Sequence, residues 1–335
     1  MTSPAMRVAL LGAGRIGRLH ARLLSELPGV ELTISDTDPA RAADLANEVG
    51  GRALDLEEAI AGAEALVIAA ATDAHAALIR RGIARGIPTF CEKPLAGDLA
   101  STIAIAAEVA ASGIPFQVGF QRRFDPGYAE ARRLLASGEL GTLYAFRLAG
   151  HDPAPPHEAY IPVSGGLFRD FSIHDFDVIR WLTGDEVAEV FAVGAVRGFE
   201  VFAKYGDVDT AVVTLTMADG AVGAMTVARH DPLGYDIRAE LFGSRDSVSV
   251  GLGPHTPMRS VEPGVPPPAG PAWRDFLVRF EAAYRDEFAA FLRVARRELP
   301  SPCTAADGLA ALRVAEAATL SLQQHRPVRV AEIAG

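Results

Sequence analysis

The chain has 335 residues, 49% of them hydrophobic and 22% charged, with a formal net charge of −10. That length supports two domains and a sizeable core, and the composition is that of an ordinary globular protein. The acidic balance, relieved by no basic run, argues against nucleic acid or an anionic membrane as partner, and no apolar run approaches the length of a membrane span.

Read in chain order, the first part alternates short apolar runs with helical patterns. Strand-like runs are predicted at Arg7–Leu11, Glu31–Ser35, Ala65–Ala70, Pro88–Cys91 and Phe116–Gly119. Helices are predicted over Arg15–Leu27, after Asp38-Pro39, over His75–Arg85 and over Leu99–Ala111. Pro39 suits a first helical turn. Strands alternating with helices imply a doubly wound parallel sheet with right-handed crossovers, a Rossmann domain over residues 1–121. After Gln121 the pattern changes. A helix (Pro126–Ser137), a strand (Leu143–Ala149), a proline-rich loop and the helix RDFSIHDFDVIRWL (169–182) are followed by strand-like runs at Glu189–Val196, Thr210–Met217, Val222–Ala228, Ile237–Phe242 and Val248–Val250. Asp219-Gly220 is a hairpin turn signal. GVPPPAGPAW (264–273) reads as a flexible loop, and helices over Phe276–Arg297 and Ala305–Gln324 follow. Residues 122–335 thus read as an α+β domain with a mostly antiparallel open sheet.

The N-terminal stretch lacks a basic leader and runs into a glycine-rich turn, so it does not read as a signal peptide, and a cytoplasmic protein is expected. Cys91 and Cys303 are too few for a disulfide framework or a zinc site and read as inert core thiols.

Gly12-Ala13-Gly14-Arg15-Ile16-Gly17 lies directly after a strand and at a helix start. Gly12 permits the tight turn, Gly14 lets the backbone approach a pyrophosphate, and Gly17 lets helix and strand pack closely. The second strand ends at Asp36, placed to bind a ribose 2′-hydroxyl. Gly12, Gly14, Arg15, Ile16, Gly17 and Asp36 are therefore the expected dinucleotide site. A carboxylate repels a 2′-phosphate, so Asp36 favours NAD over NADP, and nearby Arg41 softens that preference.

Glu92-Lys93-Pro94 and Arg122-Arg123 each follow a strand end, where doubly wound sheets bind ligands. Taken alone, the lysine reads as a solvated loop residue and the arginines as a solvated face. In the helix at 169–182, Asp170, His174 and Asp177 stand at i, i+4 and i+7, on one stripe of an otherwise apolar element. Three explanations fit: a satisfied buried polar cluster, a metal site, or an acid–base group. No second histidine sits at ligand spacing, and no metal is expected. A protein that binds a nicotinamide and oxidises an alcohol needs a base for the hydroxyl proton, and a histidine oriented by a carboxylate fits near neutral pH.

GAGRIG, Thr72 to His75, EKP, GFQRRFDP and GGLFRDFSIHDFDVIRWL together make the chain resemble, over essentially its whole length, the Gfo/Idh/MocA oxidoreductases, in particular their inositol dehydrogenase branch. The resemblance implies Lys93, Asp170 and His174 as the catalytic trio. His174 would take the hydroxyl proton, Asp170 would orient the imidazole or the substrate, and Lys93 would hydrogen-bond the reacting oxygen. It adds Thr72, His75 and Glu92 to the cofactor contacts and implies Arg123, Asp152, Asp177 and Tyr235 as substrate contacts. The implied reaction is NAD-dependent oxidation of a cyclic polyol, most simply myo-inositol to its 2-keto product. The rivals are scyllo-inositol or a pyranose sugar on the same fold, and a non-catalytic NAD-binding sensor. The resemblance also implies a homo-oligomer, a tetramer or dimer, assembled through the open face of the second sheet.

Overall fold

A computed structural model describes residues 5–333 of the chain. The chain forms two compact units. Of the described residues, the first unit comprises 5–121 and Ala282–Ala310, and the second Arg122–Glu281 and 311–333. The helical stretch 282–310, which the sequence reading places with the second domain, thus belongs by its packing to the first.

In the first unit the elements run β1 (Met6–Leu11), α1 (Arg15–Glu26), β2 (Val30–Ser35), α2 (Pro39–Val49), β3 (Arg52–Ala53), α3 (Leu56–Gly62), β4 (Ala65–Ile68), α4 (Thr72–Arg85), β5 (Thr89–Glu92), α5 (Leu99–Ser112) and β6 (Phe116–Gly119). The sheet order is β3-β2-β1-β4-β5-β6, with every pairing parallel. Strands β4, β5 and β6 are buried at every residue, as a parallel sheet covered on both faces requires. Local chemistry sets the helix starts. The Asp38 carboxylate accepts from the Ala40 and Arg41 N–H groups with Pro39 in the first turn, and Asp98 caps α5 through the Ser101 N–H. The short β3 and α3 escape sequence reading because two exposed residues and seven helical ones carry too little periodicity.

The second unit contains α6 (Pro126–Ala136), β7 (Leu143–His151), α7 (Ile173–Thr183), β8 (Val187–Ala195), α8 (Val201–Lys204), β9 (Thr210–Met217), β10 (Val222–Ala228), β11 (Asp236–Gly243), β12 (Ser247–Val250) and α9 (Phe276–Arg279). After it in the chain come α10 (Glu281–Ala295), almost all of it in the first unit, α11 (Ala305–Gln324), most of it in the second, and β13 (Val328–Arg329). The expected single helix over 276–297 is interrupted at Phe280, whose φ of −113° leaves the helical range while its ring lies edge-on to Tyr235. The sheet order is β12-β11-β7-β10-β9-β8-β13. All pairings are antiparallel except β7 with β10, which run parallel and align Ala228 with His151. Strands β9 and β10 form the hairpin signalled by Asp219-Gly220.

One face of this sheet is buried. Along β9, Ala211, Val213, Leu215 and Met217 are buried while Val212, Thr214 and Thr216 are exposed. Phe171 and Asp175 lie against Gly150 of β7, and the Ala192 N–H of β8 donates to Ser321 Oγ of α11. Cys91 and Cys303 are buried free thiols, and burial pushes the Cys91 thiol up. Among the described residues no helix is long and apolar enough to cross a membrane.

Candidate functional site

In the first unit the glycine turn has the geometry its spacing predicts. Gly12 has φ +111°, and a Cβ there would meet the backbone of Ala69 and Ala70 at 2.6 Å. A Cβ on Gly17 would lie 2.1 Å from the Gly12 carbonyl oxygen. Both positions therefore exclude any side chain, the first for the turn and the second for helix–strand contact. Gly14 differs: nothing lies within 4 Å of where its Cβ would stand. It is also the residue before α1, and no side chain caps that helix end. An uncapped helix N-terminus beside open space at Gly14 fits a diphosphate. Arg15 is exposed and Ile16 half-buried at the opening of α1. Gly14→Ala is expected to keep the fold and weaken NAD binding by about tenfold or more, ~1.4 kcal/mol, measured by calorimetric titration; unchanged affinity would remove the pyrophosphate from this cradle.

Asp36 is fixed from two sides. Its Oδ2 accepts from the Ala13 N–H (2.7 Å) and its Oδ1 from the Asp38 N–H (2.9 Å). Burial alone would raise its carboxyl, but those two N–H groups and the Arg41 guanidinium, 3.7 Å away, outweigh it and hold the carboxyl below the ordinary range. A preset anion beside the glycine turn suits a neutral ribose hydroxyl as donor. These features fit NAD: the chain supplies N–H donors for the diphosphate and an acceptor for the ribose.

Thr72 opens α4 and is half-buried. His75 is buried, with Nδ1 2.7 Å from the Pro94 carbonyl oxygen and Nε2 3.1 Å from that of Ala70. Its ring thus braces the loop after β5 from within the protein. Glu92, the last residue of β5, is likewise turned inward. Its Oε1 lies 2.6 Å from Nε2 of His20, a fully buried α1 residue set among Phe90, Tyr284 and Phe288. The sequence offered no reason to single out His20; its signal is a polar residue on the apolar face of α1. Lys93 follows in a half-buried position, joined to Pro94 by a cis peptide bond.

In the second unit the helix at 169–182 is two pieces. Residues 168–172 form a π-helical turn, and regular α-helix begins at Ile173. Asp170 sits in the wide turn and His174, half-buried, in the first turn of α7. Each oxygen of Asp170 has its own donor: Tyr160 Oη donates to Oδ1 at 2.9 Å, and Arg229 Nη1 lies 2.9 Å from Oδ2. Arg229 Nη1 is also 3.5 Å from Asp152 Oδ2. Burial disfavours charge on Arg229, but Asp170 and Asp152 more than offset that and keep it ionised. Burial, and then the charge of Asp170, push the Tyr160 hydroxyl up, so it stays a donor.

The carboxylates of the expected stripe of Asp170, His174 and Asp177 pair with different arginines. Asp177 is 1% exposed and takes a bidentate pair from Arg123, at 2.9 Å from Nε and 2.5 Å from Nη2. Arg122, 1% exposed, holds the fully buried Asp175 at 2.5 Å. The two arginines that read as a solvated face are buried because α7 presents a carboxylate to each. Burial pushes the Asp175 carboxyl up and Arg122 works against that shift; the Arg122 guanidinium stays charged. Arg123 and Asp177, expected as substrate contacts, are thereby bound to each other. Tyr235 is buried beside Phe280, and burial raises its hydroxyl. His151 lies 3.5 Å from Asp231 and 3.8 Å from Asp236. Of the described residues, these three are the one group of metal-ligand type. Arg238 grips Asp236 through both oxygens, so the protein's own cation balances that carboxylate.

The comparisons bear on both units. Residues 6–120 match the family model described as oxidoreductase family, NAD-binding Rossmann fold, and residues 128–249 match the GFO/IDH/MocA C-terminal domain. The chain belongs to the GFO/IDH/MocA oxidoreductase family. This family member is 40% identical over 321 residues to a myo-inositol dehydrogenase of Streptomyces leeuwenhoekii, covering 94% of this chain and 97% of that one. It is 34% identical to a myo-inositol 2-dehydrogenase of Thermotoga maritima, across 98% and 100% of the two chains. Among solved structures, a scyllo-inositol dehydrogenase of Lactobacillus casei with bound NAD(H) and scyllo-inositol superposes with TM-score 0.88 at 26% identity, covering 98% of this chain and 99% of that one. The first unit is thus the NAD-binding domain of a GFO/IDH/MocA oxidoreductase, and NAD is its cofactor.

Proposed function

We propose that the protein is an inositol dehydrogenase, oxidising the axial or equatorial secondary alcohol of a cyclic polyol, with myo-inositol at C2 as the first expected substrate. The observation that carries this reading is the full-length likeness to enzymes named for inositol, which extends through both units. NAD, held by the Gly12–Gly17 turn and Asp36, would supply the acceptor for the hydride of the carbinol carbon. His174 takes the hydroxyl proton as general base. Lys93 donates a hydrogen bond to the reacting oxygen and offsets its developing negative charge. Asp170, with both oxygens already held by donors, sets the orientation of the groups around it. Asp152 and Tyr235 line the polyol side, and a polyol ringed by hydroxyls suits such polar partners. Arg123 and Asp177 contribute as a rigid pair beneath that surface. Thr72 completes the cofactor contacts.

Purified protein given NAD and a panel of myo-inositol, scyllo-inositol and aldoses is expected to form NADH with an inositol isomer. Turnover of an aldose with no inositol isomer would refute the substrate assignment. NADP in the same screen is expected to be the poorer cofactor, because Asp36 is a fixed anion where a 2′-phosphate would sit.

We further infer that chains associate through the exposed face of the second sheet, as a dimer or tetramer. Val193 and Val212 are cross-strand partners on that face, 56% and 48% exposed, with Thr214 and Thr216 beside them. Light scattering on the purified chain tests this, and a monomer at micromolar concentration overturns it. We also infer a cytoplasmic location; cell fractionation tests that placement.

A further inference from the structure

We propose that Arg229 is a positioning residue of the reaction: it locks the Asp170 carboxylate and ties it to Asp152. The proposal rests on the reading of Asp170 and His174 as the acid–base side of the site. No motif marks Arg229, which is simply the residue after β10.

The parallel pairing of β7 with β10 puts it there. Register aligns Ala228 with His151, so the next residues, Arg229 and Asp152, leave the sheet side by side. Arg229 is 2% exposed, its N–H donates to the Asp209 carbonyl oxygen at 2.8 Å, and its guanidinium carbon lies 5.7 Å from the centre of the Phe171 ring. The guanidinium is therefore buried near the Phe171 ring, with both carboxylates on its Nη1. It reaches Asp170 at 2.9 Å and Asp152 at 3.5 Å.

Asp170 needs such a hold. It lies in a π-helical turn, a form frequent at functional sites, and it stands just before the helix that carries His174. Tyr160 and Arg229 approach it from separate segments and take one oxygen each. A carboxylate with both oxygens assigned has one orientation. Buried ion pairs of this kind add little net stability compared with apolar packing. What two donors on one carboxylate supply is geometry, which reaction rates sense steeply.

The test compares Arg229→Met, Asp170→Asn and the double variant, with turnover and NAD-binding capacity measured on each. Arg229→Met is expected to lose about 100-fold in kcat while binding NAD at full stoichiometry with unchanged affinity. In the Asp170→Asn background the same change is expected to cost less than about threefold, because its target is gone. A purely structural role lowers NAD-binding capacity and turnover together and overturns the proposal, as does full additivity in the double variant. Normal turnover of Asp170→Asn would overturn the underlying reading itself; an impaired Asp170→Asn beside a normal Arg229→Met would overturn this proposal alone. Should Arg229→Met fail to fold, Tyr160→Phe carries the same question from a short 3-10 helix, Glu158–Val163. It removes one donor, and it is expected to lower kcat several-fold with unchanged thermal stability; unchanged kcat would mean the carboxylate needs no such hold.

Discussion

His174→Ala is expected to lower kcat by about 10²–10⁴-fold, the range a positioned general base supplies, while NAD affinity stays within about twofold. The separation follows from where the parts lie in the chain. The glycine turn and Asp36 belong to the first unit and His174 to the second, and the imidazole sits in the first turn of α7. Steady-state kinetics with myo-inositol and fluorescence titration of NAD check both halves. Turnover close to that of the unmodified enzyme would remove His174 from the proton transfer. Loss of NAD binding would instead mean that the substitution disturbs more than the reacting group.

The second large effect is on stability. Asp175→Ala is expected to cost about 3–5 kcal/mol, because it leaves the Arg122 charge buried without its partner. Arg122 and Asp175 are 1% and 0% exposed, so water cannot replace the lost carboxylate. Replacing both, as Arg122→Met with Asp175→Leu, is expected to recover most of that loss, since neither charge then remains to be solvated by the protein. Urea denaturation of the two variants against the unmodified chain measures the difference. A single variant as stable as the parent would show that Arg122 finds other compensation, for which the nearby Tyr128 and Tyr235 hydroxyls are the available groups.

The first unit was legible because its signals are local. Apolar runs, Asp38-Pro39 before α2 and the glycine spacing all act within a few residues. The hairpin at Asp219-Gly220 was readable for the same reason. The partners of the polar side chains were not. Sequence spacing placed Asp170, His174 and Asp177 on one stripe, but which of them meets a cation is decided by segments far away in the chain. Arg123 meets Asp177 and Arg229 meets Asp170 across long separations. The π-helical turn adds to this, since one widened turn shifts Asp170 off the spacing that a regular helix would impose. Glu92 shows the converse: the resemblance puts it among the cofactor contacts, and its carboxylate meets the buried His20. Arg229 carried a faint signal, a lone arginine closing a strand of small and apolar residues, and only the parallel register gives that signal meaning.

That register also orders events in time. Pairing β7 with β10 closes a loop containing α7, β8 and β9, whereas the β9–β10 hairpin closes over a few residues. Long loops cost more entropy to close, and non-local pairings come late in folding. The ends that carry Asp152 and Arg229 should therefore be brought together after most of the sheet exists. On refolding from denaturant, strand content should return before turnover does, and the interval between them measures how long the chain takes to bring Arg229 beside Asp152.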